Sequence, residues 1–386
     1  MSGRSENVYV VGVGMTRFGR HDDVADLDLA SASVRDALGD AGIAWSDVDV
    51  AAGGTNGETK PDNLPTYLGL TGLPFVTVRN GCATGGVAML TAANALRTGA
   101  GDIAVAVGYD NHARGAFNSS PARYGIADWY GETGMMVTTQ YFAMKARRYL
   151  HDYGISEQTL GRVSAKAFAN AADNPLAWRR DPLTVDQVMT ADMVNPPLTR
   201  YMFCAPDAGA VALVLARGDR AFDLCDSPVR LAAISLRGRR FGSFEVFSPW
   251  LIPGDHLSPT VDAAASAFAM AGLAPSDVQV AQLQDTDSGA EIIHMAETGL
   301  FAHGDQEKLL SEGATEVDGT LPVNTDGGLL ANGEPVGASG LRQVHEIVRQ
   351  LQGRALGRQV PNGPRVGFTH VYGAPGISAC SVLVRD

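Results

Sequence analysis

Short β-branched runs alternate along this chain with longer stretches whose apolar residues fall at helical spacing. Residues 8–13 form a valine-rich run closed by glycine, the pattern of a strand buried on both faces. Helical spacing follows over 29–38, and Gly42 stands where a left-handed C-terminal cap belongs. The segment Ala41-Gly42-Ile43-Ala44-Trp45-Ser46-Asp47-Val48 then recurs far downstream as Ala271-Gly272-Leu273-Ala274-Pro275-Ser276-Asp277-Val278. Each copy has an alanine-rich helix before it and an apolar strand after it. Residues 229–236 precede the second copy as 8–13 precede the first. A further pair corresponds in the same order. Strand 76–78, Cys82, helix 86–96 and strand 103–107 match strand 321–323, the glycine-rich 326–340, helix 341–352 and strand 366–370. Such alternation predicts mostly parallel sheets covered by helices on both faces. Two sets in tandem predict an internally duplicated five-layer α/β protein, αβαβα, with halves at 1–222 and 223–386.

The pattern breaks between residues 111 and 200. A polar, glycine-rich stretch leads into helices over 133–153 and 160–172, and Pro175, Pro182, Pro196 and Pro197 then interrupt the chain. An insertion of this length with its own helices reads as a lid or binding surface. Residues 211–216 return to strand character and close the first half. Trp129-Tyr130 and Arg147-Arg148 within the insertion fit a ligand or partner contact as well as they fit ordinary surface.

Composition narrows the function. The 386 residues carry 42 Asp and Glu against 30 Lys and Arg, a formal charge of −12, which disfavours nucleic-acid backbones. No apolar run reaches the ~20 residues of a membrane helix, and the polar start has no signal-peptide core. The four cysteines, Cys82, Cys204, Cys225 and Cys380, contain no CxxC pair for zinc or redox work, so no metal site and a cytoplasmic location are expected. Gly53-Gly54-Thr55-Asn56-Gly57 lacks dinucleotide-binding spacing.

Asn80-Gly81-Cys82-Ala83-Thr84-Gly85-Gly86, set between a strand and a helix, resembles the nucleophile turn of thiolases. Asn324-Thr325-Asp326-Gly327-Gly328 and Gly333-Glu334-Pro335-Val336-Gly337-Ala338-Ser339-Gly340 resemble the later blocks of that family, and residues 341–353 look like its sterol-carrier-protein type. The resemblance spans both halves. It implies a CoA thioester as substrate, no permanently bound cofactor, and Cys82 as the acyl-accepting thiol. Three expected partners of that thiol are replaced. The activating histidine position holds Glu334, the His-Asp-Cys-Phe block reads Gln284-Asp285-Thr286-Asp287, and the C-terminal Cys or His turn reads His370-Val371-Tyr372-Gly373. A carboxylate beside Cys82 raises the thiol pKa, against the needs of acyl transfer.

Replacements of this kind resemble the aldolases that shorten steroid side chains, which cleave a β-hydroxyacyl-CoA to a ketone and a short acyl-CoA. Tyr372, Glu334, Cys82, Asp285 and His370 are then the catalytic candidates. Gly373, Gly337 and Ser339 are candidates for the thioester and oxyanion region, where backbone N–H groups stabilise an enolate. His370 or a water-linked Glu334 is the expected neighbour tuning the Tyr372 phenol. Two other readings compete: a thiolase or acyltransferase using Cys82, and a non-catalytic acyl-CoA or lipid-binding homologue. Asp285 and Asp287 also fit as N-caps of a helix over 289–296. A homodimer is expected through residues 103–107, taken as an exposed edge strand. The resemblance further implies a small OB-fold and zinc-ribbon partner in a heterotetramer.

Overall fold

A computed structural model of the chain describes residues 7–115, 117–249 and 258–386. Its core is a nine-stranded sheet built from β1 (Val8–Met15), β2 (Val50–Gly54), β3 (Phe75–Val78), β4 (Ile103–Asn111), β5 (Ala208–Arg217), β6 (Val229–Gly238), β7 (Val280–Leu283), β8 (Val366–Gly373) and β9 (Ile377–Val384). The strand order is β7-β8-β9-β6-β1-β5-β4-β2-β3. Outward from β1, the neighbours β5 and β4 are joined by antiparallel pairing and β4, β2 and β3 by parallel pairing. The same directions repeat outward from β6 through β9, β8 and β7, and a parallel bridge from Ala281 to Val323 stands where β3 stands in the first set. The duplication read from the Ala-Gly-x-Ala-x-Ser-Asp-Val segment is thus also a repeat of strand order. Only Tyr9 and Val10 of β1 pair with β6, so the seam between the sets is short.

The sheet is mixed where mostly parallel strands were expected. The reason is local for β8 and β9: a tight turn after Gly373 makes them a hairpin, and hairpins are antiparallel. Five layers nonetheless result. Helix α1 (Asp26–Ala41) covers one face of β1, β5 and β4. Helices α2 (Thr84–Arg97) and α8 (Ser339–Gln352) fill the middle, and α5 (Pro259–Ala271) covers β6 and β9 on the far side. β1 shows the alternation that this requires: Val8 and Val10 face the middle cluster with Met89, Leu96, Leu341 and Ile347, while Tyr9 and Val11 face Val34 and Leu38 of α1.

The insertion joins the two sets. Helices α3 (Thr138–Tyr153) and α4 (Gln158–Ala172) pack on α6 (Ser288–Glu297) and α7 (Gly328–Asn332), which belong to the second. A buried Lys166 ammonium pairs with Glu291 at 2.5 Å, and Ser164 bonds Ser288 at 2.7 Å. β4 overturns one expectation. It lies between β5 and β2 with eight of its nine residues buried, so residues 103–107 are no edge; the outermost strand on that side is β3, with Val76 exposed. No described helix is long and apolar enough to cross a membrane.

Candidate active site

Two turns meet at the top of the middle layer. The first carries Cys82, just ahead of α2. Thr84 Oγ1 accepts from the Asn80 N–H at 2.8 Å and donates to the Gly81 carbonyl at 2.6 Å, which fixes the turn. The second ends β8 at Tyr372 and Gly373. A Cβ on Gly373 would sit 2.6 Å from the Asn80 oxygen, 2.7 Å from the Ala83 nitrogen and 3.0 Å from the Cys82 nitrogen. Only glycine lets the strand end rest on the cysteine turn. Below them α2 and α8 cross backbone to backbone, since a Cβ on Gly85 or Gly340 would lie 2.9 or 3.0 Å from a main-chain nitrogen of the other helix. The close packing brings Cys82, Glu334 and Tyr372 to the wall of one cavity of about 510 Å³.

The cavity has a polar mouth at Asn56, Glu58, Arg79 and Arg123, and an interior flanked by Phe117, Tyr124, Phe142 and Phe247. Tyr124 and Phe247 stack at 5.4 Å. This aromatic wall comes from the insertion and from the segment after β6.

Glu334 is buried, and each oxygen of its carboxylate accepts a hydrogen bond. Gln284 Nε2 donates to Oε1 at 3.0 Å and the Cys204 thiol donates to Oε2 at 3.0 Å, while the Glu334 N–H bonds the Ala205 carbonyl at 3.0 Å. Burial pushes the Cys82 thiol well above its ordinary pKa, and the charge of Glu334 adds to the shift. Burial and Glu334 do the same to Cys204. The helix N-terminus behind Cys82, which by itself favours thiolate, is outweighed. Cys204 was invisible as a site residue because no motif surrounds it; a backbone bond from its N–H to Thr286 carries it in.

Tyr372 forms the opposite wall. Its hydroxyl lies 2.5 Å from Glu245 Oε2 and accepts from the Val246 N–H at 3.3 Å. The Lys145 ammonium stands 5.7 Å from the centre of its ring. Burial raises the phenol pKa well above its ordinary value, and the Glu245 charge raises it further. The neighbour expected to tune this phenol was His370 or Glu334. Regular strand alternation does put His370 on the same face, but its Nε2 bonds Thr260 Oγ1 at 3.0 Å and its ring lies 4.4 Å from that of His294. Burial holds His370 well below its ordinary pKa, so it is neutral.

The remaining candidates lie off the cavity wall. Asp285 accepts from the Leu329 and Leu330 N–H groups at 2.7 and 3.2 Å, at the start of α7. Asp287 caps α6 through Gly289 and Ala290 at 2.8 and 3.1 Å. The two aspartates therefore cap two helices where one was expected. The Gly337 N–H is spent on Asp110 Oδ2 at 2.5 Å, and Ser339 Oγ donates to the Val336 carbonyl at 3.2 Å. Among the described residues no group of His, Cys, Asp and Glu is arranged to hold a metal ion.

Residues 8–185 match the thiolase N-terminal domain and residues 255–386 the thiolase C-terminal domain-like family. An acetyl-CoA acetyltransferase of Methanothermobacter thermautotrophicus is 33% identical over 97% of this chain and 98% of its own length. Sterol carrier protein 2 of Gallus gallus is 32% identical over 96% of this chain and 70% of its own. The 17-hydroxy-3-oxo-4-pregnene-20-carboxyl-CoA lyase of Mycobacterium tuberculosis is 31% identical over 94% of each chain. Among solved structures, the Ltp2-ChsH2(DUF35) aldolase superposes with a TM-score of 0.87 at 26% identity, covering 99% of both chains. With the nucleophile turn, the repeated strand order and both family domains in place, the chain belongs to the thiolase family, in its sterol-carrier-protein type and aldolase branch.

Proposed function

We propose that this thiolase-superfamily enzyme of acyl-CoA thioesters is a carbon–carbon lyase that cleaves a β-hydroxyacyl-CoA by a retro-aldol step. The observation that carries the reading is the pairing of Cys82 with Glu334. A thiol held protonated by burial and an adjacent carboxylate is a poor acyl acceptor. The same carboxylate lines the cavity and, with one lone pair on each oxygen taken by Gln284 and Cys204, has others free to accept a proton. Glu334 takes the proton of the β-hydroxyl, the Cα–Cβ bond breaks to release a ketone, and the electron pair passes to the thioester as an enolate. Backbone N–H groups at the Cys82 and Gly373 turns stabilise that enolate. Tyr372, a phenol rather than a phenolate in these surroundings, returns a proton to the enolate carbon.

Support for a steroid side-chain substrate comes from the aromatic cavity wall and from the likeness to the pregnene-carboxyl-CoA lyase. A partner of the DUF35 type is proposed from the aldolase neighbour, and a homodimer through the exposed β3 edge in place of residues 103–107. Incubation with β-hydroxyacyl-CoA thioesters of graded side chain, with mass spectrometry of both products, tests the reaction. Equimolar ketone and short acyl-CoA without free CoA is expected; free CoA with a trapped thioester at Cys82 identifies acyl transfer instead. Light scattering of wild type and Val76→Lys tests the dimer, which the lysine is expected to dissociate.

A further inference from the structure

Glu245 plays no part in the steps above, yet its position is tightly determined. It belongs to the two-residue strand Phe244–Glu245, is 2% exposed, and lies behind Tyr372 rather than on the cavity wall. The turn after Tyr372 presses on it from one side: a Cβ on Gly376, whose φ is +99°, would stand 2.6 Å from Glu245 Cγ. Tyr372 Oη closes the other side at 2.5 Å. The next residue, Val246, gives its N–H to the same phenol and its side chain to the cavity.

A phenol has one proton to give and two lone pairs to receive. Here one lone pair takes the Val246 N–H, and the short contact to Glu245 holds a single proton between two oxygens. When Glu245 is a carboxylate, that proton is the phenol's own, and Tyr372 has nothing to offer the cavity. When Glu245 is a carboxylic acid, it donates to the phenol, and the phenolic proton is free to turn toward substrate.

We propose that Glu245 is the proton reservoir of the site, a positioning residue that supplies through Tyr372 the proton delivered to the enolate carbon. The step balances within the site. The Tyr372 O–H bond breaks as the new C–H bond forms, the Glu245 O–H bond breaks as the phenol is restored, and the electron pair stays on the Glu245 carboxylate until solvent reprotonates it. The surroundings suit both states. Burial raises the Glu245 pKa above the ordinary carboxylate range, which favours the acid, and the nearby Glu297 adds to this. Lys145 on α3, the Tyr372 hydrogen bond and Arg239 act the other way, so the carboxylate formed at turnover is not left alone. Tyr141, also on α3, packs near the same phenol, and Lys145 itself pairs with Glu297 at 3.7 Å.

The inference rests on the enolate of the lyase reading but needs no carbon–carbon cleavage, which separates the tests. Exchange of the α-hydrogens of acetyl-CoA and propionyl-CoA with D2O runs the proton transfer in both directions, removal of an α-hydrogen and then return of a deuteron to the enolate, without carbon–carbon cleavage. Because that first step is the reverse of the proposed protonation, it needs the Glu245 carboxylate to take the phenolic proton, so wild-type exchange is expected to fall on the acid side, as pH drops through the raised Glu245 pKa. Glu245→Gln keeps the shape and a donor to the phenol; it should lower the maximal exchange rate ~10-fold or more, with KM little changed and the acid-side fall abolished. Combining it with Tyr372→Phe should cost no more than Tyr372→Phe alone. Lys145→Met removes the cation favouring the carboxylate and should move the acid-side fall to higher pH. Wild-type exchange and pH profile in Glu245→Gln, or independent multiplying losses in the double variant, would overturn the assignment. Exchange through Glu245 without cleavage of any β-hydroxyacyl-CoA would refute the lyase reading and leave this one standing.

Discussion

The two walls of the cavity pose the same problem with opposite answers. On one, Glu334 faces the weak acids Cys82 and Cys204; on the other, Glu245 faces the weak acid Tyr372. Glu334 receives hydrogen bonds from an amide and a thiol, one on each oxygen, and keeps further lone pairs for a proton. Glu245 has a phenol in front of it and a lysine within electrostatic reach. The Glu334 carboxylate has neutral donors beside it and lone pairs left for a proton from the cavity, while the Glu245 carboxyl shares a proton with a phenol and can hand one over. The residue type is common to both walls, so the partners decide the role.

The sharpest break of the comparison is on the phenol side. Tyr372→Phe keeps the ring against α6 and removes the proton, so kcat for lyase turnover is expected to drop ~10²-fold or more with little change in Tm. A Phe variant within a few-fold of wild type would make Tyr372 a packing residue. Glu334→Gln comes next. It keeps an acceptor for Cys204 but no longer takes a proton, and kcat should fall by ~10²-fold. The same variant sharpens the contrast through Cys82. In wild type the raised thiol pKa means that alkylation by iodoacetamide is slow at neutral pH and still accelerating above pH ~9. Removing the Glu334 charge should speed alkylation at neutral pH, and an unchanged rate would show that burial alone sets the thiol. The smallest effect is expected from Cys82→Ala. No step of the lyase reaction is assigned to that thiol, so turnover should stay within ~10-fold of wild type, measured as ketone released.

How much of this was legible beforehand follows from sequence distance. The strands were readable because their valine and alanine runs are buried on both faces, and the repeat because its turn residues recur unchanged around Gly42 and Gly272. Cys82, Glu334 and Tyr372 were readable because each sits in a glycine-rich turn at the end of a strand or the start of a helix. Glu245, Lys145 and Cys204 were not. They lie in the insertion, in the short stretch between it and β5, and in the segment after β6, where no periodicity or motif marks a side chain, and they become site residues only through contacts with residues more than a hundred positions away. His370 and Asp285 misled for a related reason. A site-like neighbourhood in sequence says nothing about whether Thr260 or the start of α7 will claim the side chain first. The β4 edge was misread because burial of a strand looks the same whether its neighbours are near or far in sequence.

The buried pair Lys166–Glu291 sets a timetable for synthesis. The lysine emerges from the ribosome 125 residues before its carboxylate, and its neighbour Ser164 emerges 124 residues before Ser288. At translation rates of ~5–20 residues per second, α4 therefore waits on the order of ten seconds with an ammonium that has no burial site. During that wait the insertion must stay loosely folded and hydrated, with its apolar face open to solvent or to a chaperone. Contacts this distant in sequence also slow the folding of the finished chain.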